Sequence, residues 1–487
     1  SLRKSEYEAD PEHLRAIFII GHVPVPYSGD LNTDGHPDHK GAWPSDIFYG
    51  DFYGNFTDIY VNDPGASRPE NQNIPGDGKF DQSMIPGMVD LEVGRVDMHD
   101  LPAFSLSEGE LLRRYLNKDH HYRNKLFTAI PRGLIDDNFG YFNGEAFASS
   151  GWRNFAPLIG RSAIHELDFF TTLSQESYLW SYGCGGGWYQ GAGGVGSTTD
   201  FANDTVKSVF TMLFGSYFGD WDSQDNFLRA PLASAGYALT CCWAGRPHWQ
   251  FHHMAMGENI GYCTKLSQNN NATYWYNYGR HSVHIALMGD PTLREHVIAP
   301  VSNVNVTTQY SMATITWQAS LDTVLGYYVY RSAEEFGNYS RISDSIINGL
   351  TFHDPTPLQG DNFYMVRALK LEKTPSGSYY NLSTGVMNSV FVILGNNDAQ
   401  RISTNIFTIY PNPAKDHIDI KFSREVQGEV SVVLTDLAGR ELTQQQLLNL
   451  RKDQPYSVNL KGISSGVYFI TIQIGNIKLT RKVEVIR

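Results

Sequence analysis

YLWSYG at 178–183 and SVFTMLFGS at 208–216 are apolar runs of strand length, each followed by a glycine-rich turn, and both read as buried strands. AIFIIGHVPV at 16–25 reads as a third, leading into a loop. Between them SEGELLRRYLNKDHHYR at 107–123 reads as a helix, with Ser107 as N-cap and Glu110 closing a capping box. Strands separated by helices predict an α/β sheet over residues 1–296, with functional sites at the carboxyl ends of the strands.

From Pro300 the pattern changes. TITWQAS, GYYVYRS, TFHDPTP and NFYMVRALK alternate apolar and polar residues with turn residues between, predicting an Ig-like β-sandwich over 297–393 with Trp317, Tyr328 and Tyr330 as core aromatics. A polar linker follows at 394–402. HIDIKF, VSVVLTD, YSVNL, GVYFITIQIG and IKLTRKVEVI then predict a second all-β domain over 403–487.

The net charge of −13 comes without a long basic stripe, which argues against nucleic acid as a partner; an acidic balance favours solubility and cations. No apolar run reaches 18 residues, so no transmembrane helix is expected. The four cysteines, Cys184, Cys241, Cys242 and Cys263, form no CxxC, which disfavours a zinc ribbon, and the adjacent pair is a poor candidate for bridging to itself. The chain opens SLRKSEYEAD, without the apolar core of a secretion signal, and AIFII at 16–20 already looks like an interior strand. The expectation is a processed or truncated chain that begins partway through the α/β domain, its upstream segment either cleaved and still associated or outside the structure; expected partners include that segment or other surface proteins.

The C-terminal segment carries, in order, Tyr410-Pro411-Asn412-Pro413, Ala414-Lys415-Asp416, Leu437-Ala438-Gly439-Arg440, Gly466-Val467-Tyr468-Phe469 and Lys482-Val483. This set resembles the type A sorting domain of the type IX secretion system. The resemblance implies export across the outer membrane of a Bacteroidetes-type bacterium by the type IX machinery. In that family the domain is usually removed and the passenger attached to surface lipopolysaccharide or released, so its presence implies an uncleaved form. Residues 300–393 look like a fibronectin type III or related Ig-like module, read as a spacer.

The N-terminal 296 residues carry a second ordered set: Gly21, Pro44-Ser45-Asp46 with Tyr49, Asp90-Leu91-Glu92-Val93-Gly94-Arg95, Tyr182-Gly183, Gly219-Asp220-Trp221-Asp222, Leu228-Arg229-Ala230-Pro231 and Met288-Gly289-Asp290-Pro291-Thr292-Leu293. It resembles the catalytic region of the gingipain-type, caspase-like cysteine peptidases. That family places its general base in a Gly-His-Gly turn, and here the turn is Gly183-Cys184-Gly185. Its nucleophilic cysteine falls on Ser216, and no Cys lies between 185 and 240. A cysteine peptidase needs a thiolate and a neighbouring imidazole; Ser216 is inert without a base, and Cys184 is no neutral base. The inherited dyad is expected to be dead.

Other residues leave alternatives open. Cys184 could be a nucleophile with His248 or His252 as base, and the i, i+4 spacing of those histidines could place two metal ligands on one helix face, with no acidic third ligand nearby. Against this, Cys184 fits as a small residue in a tight turn. A recognition cleft would use Trp188, Asp220, Trp221, Asp222 and Trp243. Asp30, Asn32 and Asp34 before Gly35, and Asp77 and Asp81 around Gly78, put oxygens at calcium-loop spacing, although position twelve of the first loop is Gly41 rather than Glu; the alternative is a solvated Asx-turn loop. Three functions remain: a secreted pseudopeptidase acting by binding or structure, a cysteine hydrolase using Cys184, or a structural surface or adhesion component.

Overall fold

The computed structural model describes residues 2–246, 248–271, 274, 280–309, 312–392, 407–423, 425–474 and 477–487; the expected linker at 394–402 lies outside them. The chain divides into two compact units, Ser1–Pro300 with Leu321–Leu325 and Ala368–Thr384, and Val301–Ser320 with Gly326–Arg367 and Gly385–Arg487.

The first unit is built on a sheet of eight strands: β1 (Ala16–Ile20), β2 (Glu92–Val96), β3 (Gly133–Asp137), β4 (Ile164–Glu166), β5 (Tyr178–Cys184), β6 (Ser208–Phe214), β7 (Thr240–Trp243) and β8 (Leu287–Gly289). Their order is β1-β2-β8-β7-β6-β5-β3-β4. Every neighbouring pair is parallel except β7 with β8. β5 and β6 are buried at every residue, as their unbroken apolar runs require of central strands covered on both faces. Trp180 and Phe210 stack there at 4.7 Å.

The helix Glu108–Arg123 starts where the sequence predicts, with the Ser107 amide and hydroxyl both donating to Glu110 Oε2 at 2.9 and 2.6 Å. Leu111, Tyr115, Lys118 and Tyr122 form its buried stripe. Lys118 Nζ donates to the carbonyls of Leu232, Ser234 and Ala238, each at 2.9 Å. Burial, with Arg114 nearby, still lowers its proton affinity to about 7.

In the second unit, strands Ser302–Gln309, Met312–Gln318 and Thr351–Asp354 form one sheet, and Gly326–Ser332, Ser340–Arg341, the first part of Gly360–Thr374 and Val386–Val392 belong to another. Trp317 is buried against Tyr327 at 5.5 Å. Tyr328 and Tyr330, expected in the core, are only half-buried. With a side-chain period of two, the inward set on this strand is Tyr327 and Val329.

Residues 407–487 hold a three-stranded sheet (Phe407–Tyr410, His417–Phe422, Pro455–Asn459) and a four-stranded one in the order Glu441–Leu450, Val426–Thr435, Gly466–Ile474, Ile477–Val485. They share a core that includes Phe407, Ile420, Val432, Ile470 and Val483. The Tyr410-Pro411-Asn412-Pro413 turn pairs onto the last strand: Asn412 Nδ2 donates to Lys482 O at 3.0 Å, and its Oδ1 accepts from Glu484 N at 2.9 Å. Ala414 N donates to Glu484 O at 2.7 Å, so the motif covers part of that sheet edge. The chain as a whole is mostly β-sheet, with one α/β sheet in the first unit.

Candidate functional site

The site is assembled at the carboxyl ends of β3, β5 and β6. Parallel register sets Cys184 beside Asp137 on one side and Phe214 on the other. Beyond Cys184 the chain turns through glycines into a small meander, Gly187–Trp188, Gly191–Ala192 and Gly196–Ser197. Gly187 lies so close to Ser216 that a Cβ on it would stand 2.3 Å from the Ser216 nitrogen, so only glycine fits.

Cys184 is fully buried and its Sγ donates to Asp137 Oδ1 at 3.4 Å. Burial, then the Asp137 charge, push this thiol well above its usual range. The group that accepts from the sulfur is thus a carboxylate, not an imidazole.

Ser216 is half-buried, and its Oγ lies 2.9 Å from His36 Nε2. In the tautomer with Nε2 unprotonated, the hydroxyl donates to the imidazole. His36 comes from the loop between strands Tyr27–Leu31 and Gly41–Pro44. Its ring stacks on Tyr217 at 4.7 Å. Tyr217 has φ of 69°, the left-handed region that a bulky side chain adopts at a cost of about 1–3 kcal/mol. It is held there by its N–H donating to Asp34 Oδ2 at 2.9 Å and its hydroxyl donating to Asp38 Oδ1 at 3.2 Å.

A buried charge network underlies this loop. His39 Nδ1 meets Asp34 Oδ2 at 2.6 Å, and its Nε2 lies 3.5 Å from Asp220 Oδ2. Arg68 pairs with Asp220 and, at 3.0 Å, with Asp222, whose Oδ1 also accepts from the Tyr27 hydroxyl at 2.5 Å. Burial alone would lower His39; the facing carboxylates of Asp220 and Asp34, the latter hydrogen-bonded to Nδ1, outweigh it and raise it to about 9. Burial would raise Asp220, but His39 and Arg68 bring it down to about 2. Burial, then the neighbouring Asp220, raise Asp222 to about 6. Two cations thus face three carboxylates, and Asp222 is the one that most readily takes up a proton.

The remaining expected site residues fall in different places. Trp188 is 54% exposed and packs edge-on against Tyr189 at 5.0 Å and tilted against Tyr217 at 4.7 Å. Trp221 and Trp243, expected in an open cleft, are core residues at 1% and 4% exposure; Trp243 packs on Trp43 and Phe214. Asp220 and Asp222 point into the charge network rather than into solvent. His248 Nε2 accepts from Arg153 at 2.8 Å, and burial with the Arg153 charge lowers it to about 4. His252 packs on His253 and Tyr274, and burial lowers its proton affinity. The two do not share a helix face, because 248–251 is irregular and His252–Met256 is a 3₁₀ turn.

The acidic loops are committed to protein donors. Lys40 Nζ reaches Asp30 at 2.7 Å, Asn32 is exposed, and Asp34 serves His39 and Tyr217. Asp77 accepts from the amides of Ile74 and Lys79. Asp81 accepts from Thr57 Oγ1 and the amides of Ile59, Tyr60 and Val61. Among the described residues no group of three or more His, Cys, Asp or Glu is arranged to hold a metal ion. All four cysteines are free and buried. Sequence reading missed His36, His39, Arg68, Tyr27 and Asp137. The signal for the first two was the alternation of Asp and His in TDGHPDHK at 33–40, which the calcium reading absorbed.

Comparison with known families identifies the C-terminal region. Residues 408–486 match the secretion system C-terminal sorting domain. The protein is therefore secreted or held at the outer cell surface, and its sorting domain engages the type IX secretion machinery. Among the described residues no helix is long and apolar enough to cross a membrane. No curated protein matches. Solved structures with similarity include a Fn3-like protein from Clostridium thermocellum, at 19% identity over 21% of this chain and 100% of that one, TM-score 0.16. A two-domain fibronectin type III segment of chicken tenascin matches at 9% identity over 38% of this chain and 99% of that one, TM-score 0.18. TM-scores of this size carry no argument about the fold.

Proposed function

We propose that this is a secreted, surface-associated protein with a gingipain-like, caspase-like α/β domain at 1–296, an Ig-like module at 297–393 and a sorting domain at 403–487. In this reading the α/β domain acts by binding or as structure, not as a cysteine peptidase. The observation that carries it is the pairing of Cys184 with the Asp137 carboxylate. A desolvated thiol beside an anion resists ionisation, and thiolate is the form that attacks. The second dyad position holds the Ser216 hydroxyl. The half-open aromatic shelf of Trp188, Tyr189 and Tyr217 supports a ligand-binding role on the same face.

The alternative, a cysteine hydrolase using Cys184, needs an imidazole at the sulfur, and His248 and His252 are engaged by Arg153 and Tyr274 instead. Incubating the chain with a mixed peptide library and a thiol-directed acyl probe tests the proposal. The expected result is no cleavage and no Cys184 adduct. Turnover lost in Cys184→Ala would establish the hydrolase reading instead. A purely structural role predicts that Trp188→Ala changes no binding to surface proteins of the same cell, including a cleaved N-terminal segment.

A further inference from the structure

We propose that Ser216 and His36 form a nucleophile–base pair that cleaves neutral acyl esters at this site. The proposal goes beyond the binding reading and does not rest on it.

Three features carry it. The first is contact: Ser216 Oγ and His36 Nε2 are 2.9 Å apart, within the reach a general base needs. The second is access: both side chains are only half-buried, and exposed Trp188 stands on the adjoining Tyr217. The third is orientation. His36 stacks on Tyr217, whose left-handed backbone is held by Asp34. Asp34 also accepts from the His36 amide at 3.3 Å and from His39, so one buried carboxylate ties the base-bearing loop to the serine-bearing one. Strained backbone next to a paired hydroxyl is a combination found where geometry serves chemistry. The aromatic shelf and the nearby Asp38, Asp34 and Asp220 favour a neutral or cationic acyl group over an anionic one.

The step balances with water as co-reactant. The Ser216 hydroxyl proton passes to His36 Nε2 as Oγ bonds to the acyl carbon. The tetrahedral adduct collapses, the bond from carbon to the alcohol oxygen breaks, and His36 returns the proton to the departing alcohol. Water then adds to the acyl-serine, giving its proton to His36. The Oγ–carbon bond breaks, Oγ regains a proton, and the acid leaves. His36 and Ser216 are the catalytic residues; Asp34, Tyr217 and His39 are positioning residues.

The test uses the full chain, p-nitrophenyl acetate and a fluorophosphonate probe, with the labelled peptide mapped by mass spectrometry. The expected result is one adduct per chain, on the peptide carrying Ser216. Ser216→Ala should show no adduct and no turnover, and His36→Gln should be slower by about 100-fold. Both variants should retain the wild-type melting temperature to within about 3 °C, since both side chains are partly exposed and neither substitution opens a cavity in the core. Labelling of Cys184 or another residue, an unchanged rate in His36→Gln, or labelling no faster than in urea-unfolded chain would each overturn the assignment.

Discussion

His39→Gln probes the charge network most directly. His39 is almost completely buried between Asp34 and Asp220 and is raised from 6.5 to about 9. That gain in proton affinity corresponds to about 3 kcal/mol of stability. Because the folded value lies above the unfolded one, the contribution is present in full below pH 6.5 and is lost as pH rises through about 9. Lys118 acts in the opposite direction. It is lowered from 10.5 to about 7, so its contribution makes stability rise with pH across that interval. A single wild-type curve therefore mixes the two, and the difference between wild type and His39→Gln isolates the histidine. The variant leaves two buried carboxylates short of a cation and should be less stable by about 3–5 kcal/mol at pH 6. The gap should close by about 3 kcal/mol near pH 9.5. Urea unfolding at pH 6 to 9.5, followed by tryptophan fluorescence, measures it, and Trp43 at 4.6 Å from the imidazole is a local reporter. A gap that stays constant within about 0.5 kcal/mol would refute a protonated His39 as the centre of the network.

Other outcomes follow from the same geometry. All four cysteines are buried with thiols raised by desolvation, so a disulfide reagent at pH 8 should titrate less than about one thiol per native chain and all four after unfolding. Deleting 408–486 should leave the protein inside the cell, as fractionation and immunoblotting would show; continued export by the same pathway would refute the sorting role. Adding calcium should shift the melting temperature by less than about 1 °C, because Asp34 and Asp81 already have protein partners; a rise that grows with concentration would show that the loops rearrange to bind it.

Much of the fold could be read locally. The runs at 178–183 and 208–216 are apolar at nearly every position, which only a doubly covered strand tolerates, and both became central strands. The capping box at Ser107 and Glu110 uses chemistry contained within four residues. Where two neighbouring residues have the same character, local reading loses its footing. Tyr327, Tyr328 and Tyr330 are all aromatic, so the sequence does not say which parity faces the core, and packing against Trp317 selects Tyr327.

The site was legible only in part for a related reason. Cys184 and Ser216 were marked by strand ends, and the register confirms that these ends are neighbours. Their partners were not marked, because His36 lies 180 positions from Ser216 and Asp137 lies 47 from Cys184. The acidic spacing at 30–34 suits a cation loop and a protein-paired loop alike, because alternate oxygens are common to both uses. The distinction is whether a protein cation already fills the loop, and here Lys40 and His39 supply the positive charge. The same argument bears on Trp221 and Trp243: large aromatics beside a glycine turn suit a cleft or a core equally well. Gly219 decides for Trp243, since a Cβ there would lie 2.8 Å from its ring and 2.7 Å from Trp43. That close packing commits the indole to the interior, whereas Trp188, on the glycine-rich meander, is exposed.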